Sequence, residues 1–163
     1  MKKLMVGALF SLFAANGMAQ TTPTVEVDGK KLQVANMASQ GRVQWGGFSQ
    51  IGNAARNEND GTGNTAAIIK SVGNNADQEN KPYAAALCRA LKTGGHADWY
   101  LPSVNELKGL FSNIKAVGFD EKNTYWSSTE ANGTQAVSVY MLNGALYNSG
   151  KVENNHYACV RRG

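Results

Sequence analysis

The sequence predicts an α+β domain in which helices come first and antiparallel strands follow. Two segments, residues 81–92 and 103–114, repeat apolar residues at helical spacing. From Thr124 onward the pattern changes to short alternating runs separated by Asn143-Gly144 and Ser149-Gly150, which are turn signals. Strand and helix patterns do not alternate in the manner of a parallel βαβ sheet. A chain of 163 residues is long enough to bury one independent core.

The elements follow in order. Residues 20–24 (QTTPT) read as a linker, and Thr24 to Val34 holds two alternating runs around Asp28-Gly29, a hairpin signal. Arg42 to Ile51 reads as a strand interrupted by Gly46-Gly47, and the polar stretch from Asn53 to Asn64 as an irregular loop. Thr65 to Val72 is a short helix candidate with Thr65 near its start. In the helix predicted over Lys81 to Lys92, Pro82 suits the first turn and Gly94-Gly95 the end. Tyr83, Leu87, Ala90 and Leu91 share one face of it, with Cys88 beside them. The next helix opens with Ser103 and Glu106 spaced as a capping box, and Leu107, Leu110, Phe111 and Ile114 form its stripe. Strands are expected over 124–129, 136–142, 145–148 and 156–162.

Composition narrows the function. Charged residues make up 17% of the chain, against roughly 25% in an average domain, while 18 Gly and 17 Asn favour turns. Lys2 and Lys3 precede an apolar run from Leu4 to Ala15, and small residues stand at Gly17 and Ala19, as in a secretory signal cleaved after Ala19. The run is too short for the roughly 20 apolar residues of a membrane span. Losing Lys2 and Lys3 lowers the basic count from 16 to 14 against 12 acids, so the mature charge falls from +4 to +2 and nucleic acid is not an expected partner. After export into an oxidising compartment, Cys88 and Cys159 are most simply one disulfide. The competing reading, a catalytic cysteine with His96 or His156, has no local motif behind it.

Several strings are distinctive. They are residues 63–69 (GNTAAII), 84–91 followed by Gly94-Gly95, Asp98-Trp99-Tyr100-Leu101-Pro102-Ser103 with Asn105-Glu106-Leu107, Tyr125-Trp126-Ser127-Ser128-Thr129-Glu130, and a terminal Cys159-Val160-Arg161-Arg162. In this order they resemble the DUF1566 family, also described as the C-terminal domain of the Legionella collagen-like adhesin. The resemblance runs roughly from Val43 to Arg162. It divides the chain into a signal peptide (1–19), an N-terminal linker and hairpin (20–42) and the family domain (43–163). It implies a C-type-lectin-like fold related to the formylglycine-generating enzymes, with a disulfide from helix to last strand. It also implies an exported or surface protein, secreted or periplasmic, and from the adhesin itself sulfated-glycosaminoglycan binding and a homo-oligomer, a trimer.

The candidate chemistry is binding, not catalysis. Residues 57–61 imitate a calcium loop, but with Gly61 as the turn glycine the first ligand would be Arg56, a cation. The E-P-N, Q-P-D and W-N-D strings of calcium lectins do not occur, and His96 and His156 stand in no metal-binding spacing. No metal or other cofactor is therefore expected. The enzymes of the related branch use a reactive cysteine pair near the C-terminal end, where this chain has Cys159 alone. Trp99 and Trp126 are expected in the core, and Glu106 as a cap on its own helix. In lectin-like domains the ligand surface precedes the last strand, which here is Ala131 to His156. The candidate ligand-binding residues are Glu130, Asn132, Asn143, Lys151, Asn154 and Asn155. Their amides suit sugar hydroxyls, whereas a sulfated glycan would call for several cations. Lys108, Lys115 and Lys122 offer a basic edge from the second helix. The expected partner is a glycan or a cell-surface protein; the alternative is a structural or assembly subunit of a bacterial surface or secretion apparatus.

Overall fold

Asp28 and Gly29 carry φ of 49° and 72°, the two left-handed residues that a type I′ hairpin turn demands. They join β1 (Thr24–Val27) to β2 (Lys30–Val34), with Val27 opposite Lys30. In the computed structural model, which describes residues 22–35, 41–73 and 81–163, Val25, Val27, Leu32 and Val34 of this hairpin are buried. β2 also pairs with β6 (Val160–Arg162), giving a sheet of order β1-β2-β6. The boundary expected at 42/43 thus separates β2 from the strand it pairs with. The expected signal peptide lies outside the described residues.

The strand expected over Arg42 to Ile51 does not form. Val43 makes one bridge to Asn155, and Trp45 N–H donates to the Lys151 carbonyl. The indole of Trp45 donates to the Ser127 carbonyl at 2.7 Å, and that of Trp126 to the Val43 carbonyl at 2.8 Å. Distant partners therefore fix this segment, and among the described residues no neighbouring strand runs along it. A 3₁₀ turn follows at Gly52–Ala55.

The polar stretch expected to be irregular also contains the beginning of α1 (Gly61–Val72). Its N-cap is Asp60, whose Oδ1 accepts from Gly63 N–H; Thr65 lies inside the helix, exchanging hydrogen bonds with Leu101. Glycine is a poor helix former, but a Cβ at Gly61 would come within 2.5 Å of Glu106 Oε2 and 2.6 Å of Ser103 N. Close packing overrides propensity there.

α2 (Ala84–Ala90) is shorter than expected, and Pro82 lies outside it. Its buried face is Ala84, Ala85 and Cys88 beside Tyr83, while Ala90 is exposed. Gly94 and Gly95 occupy a separate tight turn between Thr93 and His96. α3 (Val104–Ser112) has the expected capping box: Ser103 Oγ accepts from Glu106 N–H, and Glu106 Oε2 accepts from Ser103 N–H at 2.9 Å. The same Oε2 takes Gly61 N–H at 3.2 Å, so one carboxylate caps two helices. A last turn, α4 (Ile114–Val117), ends at Gly118 with φ 74°.

β3 (Thr124–Glu130), β4 (Gln135–Tyr140) and β5 (Ala145–Gly150) form the second antiparallel sheet, in that order. Ser149 and Gly150 lie within β5, opposite Ala136 and Gln135, and the turn comes at Lys151–Glu153. Residues 131–156, expected to carry the ligand surface, are thus mostly a regular hairpin, built on the strands expected over 136–142 and 145–148. The strand expected over 156–162 is ladder-paired only from Val160. Among the described residues, the two sheets and four α-helices make an α+β domain. One cluster of its core holds Trp45, Trp99, Trp126 and Cys88, and another Leu32, Leu107, Tyr125 and Val160. Cys88 and Cys159 are bonded, their Cα atoms 5.2 Å apart, tying α2 to the segment entering β6.

Candidate functional site

The six residues expected to contact ligand fall in different environments. Glu130 and Lys151 have fully buried side chains, so the expectation that they face a ligand is not met. Lys151 Nζ lies 2.6 Å from Glu130 Oε1, donates to the Ser49 carbonyl at 3.0 Å and sits 4.7 Å from the centre of the Trp45 ring. Glu130 also accepts Ile51 N–H at 2.8 Å and Gly52 N–H at 2.7 Å, and Arg56 Nε stands 3.3 Å away. Burial opposes ionisation of Glu130, but the Ile51 amide, the Lys151 ammonium and the Gly52 amide together hold its carboxyl below its ordinary value. The pair anchors the segment from Ser49 to Arg56.

Asn132 is committed to its own turn, where Oδ1 accepts from the N–H groups of Thr134 and Gln135. Asn154 is exposed. Asn143 lies beside a groove of about 480 Å³ between the β1–β2 turn, α3 and Gly144, where Lys108, Asn105 and Phe111 also stand. Lys108, Lys115 and Lys122 are exposed, the last two on α4 and the turn before β3.

Asn155 reaches a different surface. It lines a shallow depression of about 440 Å³ with Thr124, Tyr140, Tyr147, Asn148, Ser149 and Glu153. Tyr140 pairs with Ala145 and Ser138 with Tyr147, so the two tyrosines are diagonal neighbours on one face of the sheet. Tyr147 is 51% exposed, unusual for a large aromatic ring. Ser138 Oγ and Ser149 Oγ, 2.7 Å apart, join the two strands beneath. The Asn155 side-chain nitrogen is buried without a hydrogen-bond partner among the described residues. Beside it, His156 is held below its ordinary pKa by burial and by the Arg42 guanidinium, whose Nε donates to His156 Nε2 at 3.3 Å, although Asp120 opposes the shift. Sequence reading did not single out Tyr140 and Tyr147. Their signal was alternation: in YMLNGALYNS both occupy the positions opposite the apolar ones once the turn fixes the register.

The distinctive strings are mostly scaffold. Asp98 receives a bidentate pair of hydrogen bonds from Arg161 at 2.8 and 3.0 Å, which lowers its pKa, and Arg161 also reaches Gln33 at 2.7 Å. Trp99, Tyr100 and Leu101 enter the core, Ser103 and Glu106 cap α3, and Glu130 meets Lys151. Comparison with protein families matches residues 31–161 to the Lcl C-terminal domain. The chain belongs to that family. No curated protein matches it. As the match starts inside β2, the Lcl domain here includes the hairpin strand that pairs with β6. Family membership and the disulfide, a bond of oxidising surroundings, suggest an extracellular protein. Among the described residues of this Lcl domain no helix is long and apolar enough to cross a membrane, and no cluster of three metal-ligating side chains occurs.

Proposed function

We propose that this chain is an exported, non-enzymatic binding module of adhesion type, C-type-lectin-like in fold, that takes a surface glycan in the depression between Tyr140, Tyr147 and Asn155. The observation that carries this reading is Tyr147, half exposed on the same sheet face as Tyr140 and bordered by amide, hydroxyl and carboxylate groups. Flat aromatic faces stack against the C–H faces of sugar rings, and the polar groups around them select hydroxyl patterns. The helix-to-strand disulfide and the pairing of the first hairpin with the last strand support a lectin-like fold. A glycan array probed with the mature domain tests the function: binding by the wild type and its loss in Tyr147→Ala, with the melting temperature retained, is the expected result. A folded domain that binds nothing on the array at low salt would refute it.

A protein partner is the second reading. Leu142 and Leu146 are 58% and 49% exposed on the β4–β5 hairpin, and β5 is an edge strand, features that serve protein contacts. Recovery of cell-envelope machinery in a pull-down, combined with an empty array, would favour this assembly role.

A further inference from the structure

We infer that the depression selects uncharged oligosaccharides of N-acetylated hexosamines and excludes sulfated or carboxylated glycans. This rests on the glycan-binding reading above and specifies its ligand. Among the described residues no lysine or arginine lines the depression, and the one charged residue that does is Glu153. Lys151, two residues earlier, is turned inward and neutralised by Glu130, and the Arg42 guanidinium is directed at His156. A sulfate or carboxylate would meet repulsion from Glu153, and no cation among the described lining residues offsets it.

The polar groups are complementary to a secondary amide. Asn155 presents a side-chain N–H without an acceptor among the described residues, and a buried donor of this kind gains by finding an oxygen. Its terminal torsion is soft, so a ligand acceptor can draw the nitrogen outward. Glu153 lies against Gly150, its Oε1 about 3.2 Å from where a Cβ would stand there, and its carboxylate accepts hydrogen bonds. An acetamido group supplies one acceptor, its C=O for Asn155, and one donor, its N–H for Glu153. A hydroxyl can also serve each partner, but a sulfate offers acceptors alone. Tyr147 and Tyr140 then lie under the ring and the acetamido methyl group.

Calorimetric titration of the mature domain with three probes of equal length tests the assignment: an N-acetylglucosamine oligomer, a glucose oligomer without acetamido groups, and a heparin oligosaccharide. The expected result is binding of the acetamido oligomer about tenfold or more tighter than the glucose oligomer. That affinity should change little between low and physiological salt. Asn155→Ala should weaken the acetamido ligand and leave the glucose oligomer nearly unchanged. Glu153→Gln should reduce discrimination against heparin. Equal affinity for the two neutral oligomers, or tighter and salt-dependent binding of heparin, would overturn this inference while leaving the glycan reading intact. If none of the three binds, the inference fails; the array then decides whether the glycan reading fails with it.

Discussion

Replacing Lys151 with methionine keeps most of the side-chain volume and removes the ammonium. Glu130 would lose the ammonium that offsets its burial, in a site where neither side chain reaches solvent. Breaking a buried pair from one side costs about 3–5 kcal/mol, because the surviving charge has lost its partner. Here Glu130 keeps the amides of Ile51 and Gly52 and has Arg56 Nε at 3.3 Å, which places the loss near the lower end, about 3 kcal/mol. For a domain of this length that corresponds to a fall of roughly 10 °C in melting temperature. Urea unfolding of the disulfide-intact protein measures it, and Glu130→Gln in the Lys151→Met background should recover part of the loss as a coupling energy. Glycan binding by the folded variant should survive, since Lys151 works inside the protein. A loss below about 1 kcal/mol, or abolished binding with unchanged stability, would refute the reasoning and return Lys151 to the ligand surface.

Three further outcomes are expected. Glu130 has its pKa lowered in the folded state, so its contribution to stability is present above the ordinary value of 4.5 and is lost as pH falls below it toward the folded value; urea midpoints measured across that window should drop, and Glu130→Gln should flatten the drop. Removing the Cys88–Cys159 bridge by paired alanine substitutions releases a closure of 71 residues and should cost about 4 kcal/mol in the chain-entropy account, read by denaturation with and without reductant. At Gly109 an alanine would gain helix propensity of at most about 1 kcal/mol, but its methyl carbon would fall 2.9 Å from Val27 Cβ and closer still to the Val27 methyl groups. Gly109→Ala should therefore be net destabilising by about 1–2 kcal/mol, with Val27→Ala restoring part of it in thermal melts.

What could be read from the sequence was local. Ser103 and Glu106 are three residues apart, so the capping box was visible in the string, as was the Asp28-Gly29 turn. The disulfide followed from compartment and the number of cysteines. The start of α1 was not legible because the group that requires Gly61 is Glu106, 45 residues away. Arg42 to Ile51 carries a strand pattern, yet its hydrogen bonds go to Ser127, Lys151 and Asn155, and no local rule anticipates those partners. Glu130 and Lys151 each looked like surface charges; only the fold reveals that they meet inside it. For the candidate site, Asn155 was legible as an amide near the last strand, but Tyr140 and Tyr147 needed the register of β4 against β5, which the four-residue turn over 141–144 sets.

The bond between Cys88 and Cys159 has a consequence for survival outside the cell. α3, both sheet hairpin turns from Ala131 to Gly144, and every residue of the Tyr140–Tyr147 depression lie between these two cysteines along the chain. They form one covalently closed ring. A single protease cut anywhere in that ring opens the loop but leaves the two fragments attached, with the N-terminal piece still joined through Cys88 to the strand that ends the domain. Nicked protein therefore keeps its pieces at each other's side, so the Tyr140–Tyr147 depression can reassemble instead of being shed.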